Sequence, residues 1–171
     1  MKNNNWIYIG ADINDPMWSK VGKTTRGLQS RHTSTHRPGY FIFAGYHINY
    51  ANVHNVESDL LSFIESESTE KRQIHFSTGR KSECFNINPH DMMDIVQYFL
   101  DINGLLEFDN KTDQLMRYEC DREVFDFLNV NYEKNYEVPE WSLSIPISRP
   151  ENLSRKKSHY FSGNKINTHI V

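Results

Sequence analysis

Cysteine is scarce in this chain: Cys84 and Cys120 are the only two among 171 residues, and no CxxC pair occurs. That spacing excludes a cysteine zinc cluster. Two isolated thiols suit a reducing compartment, so the expected location is the cytoplasm. No apolar run is long enough to span a bilayer, and Met1-Lys2-Asn3-Asn4-Asn5 is not followed by an apolar h-region. Neither a signal peptide, a transmembrane helix nor a membrane partner is expected. Internal repeats are absent. What is present, 37% hydrophobic and 24% charged residues, fits one soluble globular domain with an appendage.

Acid is missing where base is concentrated. Lys20 to Arg37 holds five basic residues and two histidines but no carboxylate. Asp101 to Glu140 has eleven acids against four bases, and Arg149 to Val171 has five bases and only Glu151. A net charge of −3 argues against a general nucleic-acid coat, yet segregation of this kind suits a local phosphate-binding face. Ordinary solvated surface is the more usual explanation of any one such run taken alone. Tyr160 and Phe161 interleave with the C-terminal bases, which makes Arg149 to Lys165 a candidate second DNA contact. The acidic stretch 101–140 is a candidate docking segment for a protein partner.

Hydropathy patterning orders the elements. Residues 6–11 and 19–24 read as strands of a hairpin around the turn residues Asn14-Asp15-Pro16. Leu28 to Thr35 reads as a short helix, and Tyr40 to Ile48 as a third strand. Val53, Val56, Leu60, Phe63 and Ile64 recur at helical spacing, predicting a helix over 51–66. A short strand over 83–87 follows. A helix after Asn88-Pro89 closes at Gly104, and another is expected over 121–128. The fold class is α+β: a small mixed or antiparallel three-stranded sheet flanked by helices over residues 1–100. A C-terminal extension over 101–171 would be first acidic and helical, then basic.

Gly22-Lys23-Thr24 invites a phosphate-loop reading. That loop needs a glycine five residues before Gly22, and the residue there is Met17, so the backbone cradle is missing. Another arrangement accounts for the motif. Tyr8-Ile9-Gly10, then Lys20-Val21-Gly22-Lys23-Thr24, then Arg31, then Glu57 beside Leu60-Leu61, then Ser82-Glu83-Cys84-Phe85-Asn86-Ile87, resembles the GIY-YIG nuclease superfamily. The likeness is to the branch whose second half-motif carries lysine in place of tyrosine. It covers residues 6–100 and lies in the order and spacing of the pieces.

The resemblance implies a metal-dependent endonuclease that hydrolyses DNA phosphodiester bonds. Tyr8 would orient or deprotonate the attacking water. A phenol ordinarily titrates near pH 10, and the positive charge of Lys20 nearby would favour the phenolate. Arg31 would grip non-bridging phosphate oxygens with its planar fork. Glu57 would bind one divalent ion, Mg²⁺ or Mn²⁺. Lys23, Arg26, His36 and Asn86 are candidate substrate-binding residues. The family's usual histidine position is Thr35 here, with His36 adjacent. His47, His54 and His75 lack the spacing of a zinc set. Double-stranded DNA is the expected partner, and a homodimer is one route to a double-strand cut. Two alternatives stay open: a non-catalytic DNA-binding or protein-interaction module on the same scaffold, and a nuclease or toxin directed at RNA. Each residue also has a structural explanation: Tyr8 in the core, Lys20 on an edge strand, Arg31 in a helix-surface ion pair, Glu57 as a half-buried helix residue.

Overall fold

The computed structural model describes residues 4–32, 37–48 and 52–135. The chain begins with a hairpin of β1 (Trp6–Asp12) and β2 (Asp15–Thr24). Its connection is only Ile13-Asn14, much shorter than the loop over 12–18 expected from Asn14-Asp15-Pro16. A register shift at Ala11/Asp12 accommodates that turn. The Asp12 carboxylate accepts a hydrogen bond from the Asn14 amide at 3.0 Å, a local turn bond typical of aspartate.

A 3₁₀ turn, Leu28–Arg31, forms the described part of the helix expected over 28–35, whose residues 33–35 lie outside the described residues. Next come β3 (Tyr40–His47), α1 (Val53–Glu67), β4 (Cys84–Phe85), α2 (Pro89–Ile102), β5 (Arg117–Glu119) and α3 (Arg122–Asn135). The five strands form one antiparallel sheet in the order β4-β2-β1-β3-β5. The expected three-stranded sheet is therefore corrected to five strands within the expected α+β class. β4 and β5 are only two and three residues long, too short to show alternation in sequence. β5 pairs with β3, and the compact unit ends at Tyr132, so residues just past 100 contribute to the sheet.

Alternation along β1 separates two faces. Ile7, Ile9 and Ala11 turn to one face, where they meet Val56 and Leu60 of α1 and Met92 and Val96 of α2 in the main core. Tyr8 turns to the other, in a second cluster with Trp18, Leu28, Tyr40 and Ile42. A bulge between Ile9 and Gly10 on the β3 side lets Phe43 join the first core while Ile42 serves the second. Phe43 stacks on Phe125 of α3 at 4.9 Å.

The helices α1 and α2 carry side-chain N-caps. The Asn52 side chain accepts from the His54 amide at 3.1 Å. The Asn88 side chain accepts from the His90 amide at 2.9 Å, with Pro89 in the first turn. Asn88 is fully buried and also donates to the Pro16 carbonyl at 2.8 Å, which pins α2 to the start of β2. Among the described residues no helix is long and apolar enough to cross a membrane.

Candidate active site

The helix-free face of the hairpin holds the first half of the expected site. Tyr8 pairs in register with Gly22 of β2 and Gly45 of β3. Its ring lies on Gly22: a β-carbon there would stand 2.5 Å from both Cζ and the hydroxyl oxygen of Tyr8. Glycine at position 22 is therefore a space requirement, not a turn requirement. Gly10 plays the same part for Tyr40, whose Cε2 would lie 2.4 Å from an added β-carbon. Tyr8 is 2% exposed, so its ring is core. Among the described residues no hydrogen bond is made to its hydroxyl.

Lys20 pairs with Gly10 on β1 and with Cys84 on β4, and sits one alternation away from Gly22 on the Tyr8 face. Its ammonium lies 3.4 Å from the Glu83 carboxylate. Burial pushes the Cys84 thiol above its ordinary pKa, against an opposing pull from Ser82 and the Lys20 charge. Arg31 belongs to the 3₁₀ turn whose Leu28 covers Gly45. Its Nε is enclosed and has no hydrogen-bond partner among the described residues, an unusual state for a buried guanidinium N–H. Beside that turn lies an open cavity of about 370 Å³, lined by His32, Tyr40, Phe41, Tyr118 and Asp121 among others. The Cys120 thiol at its wall is pushed up to about 12 by burial.

Glu57 lies elsewhere. It projects from the first turns of α1, on the face that the helices cover, and is ion-paired with Lys23. Lys23 follows Gly22, so it points away from the Tyr8 face. Tyr8, Lys20 and the turn bearing Arg31 thus share one side of the sheet, and the Lys23–Glu57 pair occupies the other. Glu57 is well enclosed, its side chain 8% exposed against 22% for Lys23. A buried carboxylate needs a cation, and here a lysine ammonium provides it.

That arrangement does not fit the implied divalent ion. One carboxylate, already neutralised by Lys23, faces the position, and no group of three or more His, Cys, Asp or Glu side chains among the described residues could hold a metal. Lys23 is an internal counter-ion here, not a free phosphate-binding group.

The remaining candidates are distributed more loosely. Arg26 is exposed after β2, its amide donating to the Thr24 hydroxyl at 3.0 Å. Asn86 is exposed beyond β4 and accepts from the Gln73 side chain at 2.6 Å, a structural use. His36, the residues past 135, and with them the basic tail, lie outside the described residues. Two contributors escaped the sequence reading. Glu83 partners Lys20, and its place one residue before the short strand β4 was the available signal. Tyr40 fills the space over Gly10, a glycine that would otherwise be assigned to backbone geometry.

Comparison with family models, with curated proteins and with solved structures found no match to this chain.

Proposed function

We propose that this chain is a phosphodiester-cleaving endonuclease of the GIY-YIG type, acting on double-stranded DNA. The observation that carries the proposal is the hairpin itself. It sets Tyr8 in register with Gly22, with Lys20 two residues away on the same face and the unpartnered Nε of Arg31 on the turn that covers that face. Tyr8 orients the attacking water through its hydroxyl. Lys20, on the same face and paired with Glu83, supplies positive charge to the phosphate when that pair opens, and Arg31 holds a phosphate oxygen with its planar fork.

Mg²⁺ or Mn²⁺ enters this reading only through opening of the Lys23–Glu57 pair, and no step is assigned to it. The separation of Glu57 from Tyr8 favours a second reading on the same scaffold, a module that binds DNA without cutting it. A nicking assay on supercoiled plasmid, with wild type and Tyr8→Phe, separates the two.

A further inference from the structure

Between α1 and β4 the chain leaves the sheet as a two-stranded ribbon. The Gln73 amide donates to the Cys84 carbonyl at 2.8 Å, Ser82 to Gln73 at 2.8 Å, and His75 to Arg80 at 2.9 Å, while Ile74 bridges Lys81. Gly79 closes the tip with φ of +65° and donates to the His75 carbonyl at 2.8 Å. That backbone region is open to glycine at little steric cost. The turn is therefore built, and it holds Phe76 at the first loop position, entirely exposed to solvent. Ile74, two residues earlier, is 57% exposed.

The charges within the ribbon's own sequence are of one sign. No acid occurs from Lys71 to Ser82. Glu65 engages Arg72 at 3.2 Å and Lys81 at 2.9 Å from the ribbon's base. Among the described residues no carboxylate pairs with Arg80, next to the tip. A single exposed apolar side chain is ordinary. An exposed aromatic ring fixed at the tip of a hydrogen-bonded ribbon, with Arg80 beside it and the basal cations Arg72 and Lys81 held by Glu65, is the combination a polyanion with stackable bases would complement.

We propose that the 73–82 ribbon is a contact for duplex DNA, with Phe76 entering the minor groove as an apolar wedge between base steps and Arg80 reaching the flanking phosphates. The proposal rests on the nuclease reading for its partner, and its binding is measurable without cleavage. The ribbon springs from β4, which pairs with Lys20 of β2, so a duplex held there lies against the edge of the sheet that carries Lys20.

The test uses the full chain in excess chelator, a DNA duplex carrying 2-aminopurine, and fluorescence anisotropy. Wild type binds and raises the 2-aminopurine signal as a base step opens. Phe76→Ala weakens binding roughly tenfold, the order expected for one lost ring–base contact, and abolishes the signal. Arg80→Ala weakens binding across sequences and lowers the salt slope by about one. Failure of wild type to bind the duplex overturns the proposal, as does unchanged binding and signal in Phe76→Ala. Equal affinity for an A-form RNA duplex also overturns it. Binding with the full signal but no plasmid nicking keeps the ribbon and removes the nuclease. Nicking with Phe76 indifferent does the reverse.

Discussion

The Tyr8 ring rests on the α-carbon of Gly22, close enough that any β-carbon at position 22 would overlap its hydroxyl end. The glycine of the second half-motif thus exists for the tyrosine of the first. Gly22→Ala must displace a ring that is itself walled in by the second cluster. Overpacking of this kind destabilises by about 1–3 kcal/mol, or a fall of several degrees in melting temperature for a domain of this size. Thermal unfolding of Gly22→Ala checks it, and an unchanged melting temperature would show that Tyr8 has room to move.

Lys23 neutralises Glu57 within the helix-covered face. Lys23→Met leaves the carboxylate buried and unpaired, at a cost on the order of 2 kcal/mol after allowance for partial exposure. Glu57→Gln in the same background should recover most of that loss, and a double-mutant cycle measures the coupling. Lys23→Met also vacates the only cation at Glu57 among the described residues. If a divalent ion can bind there, the melting temperature of Lys23→Met rises with Mg²⁺ concentration while that of the double variant does not.

His90 gives a pH signature. Burial holds its imidazole below the ordinary histidine pKa, against a raising hydrogen bond to the Phe125 carbonyl at 2.8 Å. The unfolded chain therefore takes up this proton at a higher pH than the folded one. Stability is fully present above about pH 6.5 and declines as pH falls through that value toward the folded pKa. Denaturant unfolding at pH 7.5 and 5.5 should show a smaller loss in His90→Gln than in wild type. Equal losses would mean the ring is solvated.

Asn88 caps α2 and bonds the Pro16 carbonyl from a fully buried position. Asn88→Ala removes both, for an expected loss of about 1–3 kcal/mol in chemical denaturation. A change below 0.5 kcal/mol would indicate that water replaces the side chain.

The parts of this fold that were legible in the sequence are those with long periodic patterns. The stripe from Val53 to Ile64 and the run from Met92 to Leu100 are the two helices that cover the sheet. Tyr40 to Ile48 is β3 with its boundary one residue long. The edge strands β4 and β5 were not fully legible, because two or three residues cannot show a period, and Arg117-Tyr118-Glu119 carries no apolar signal. The site was legible as a set of residue types, less so as a place. Spacing along the chain put Tyr8, Lys20, Arg31 and Glu57 in order, but strand parity decides which side of the sheet each occupies. Lys23 sits one residue after Gly22, and that single step sends its side chain, and Glu57 with it, to the opposite face from Tyr8.

The most direct test of the central claim is plasmid nicking by wild type and Tyr8→Phe, with and without Mg²⁺ or Mn²⁺. Wild type should convert supercoiled plasmid to the open circle, and Tyr8→Phe, with the same fold by circular dichroism, should be slower by at least about 100-fold, the loss expected for a positioned acid–base group. Equal cleavage by the two proteins, or binding without any cleavage by wild type, would contradict it.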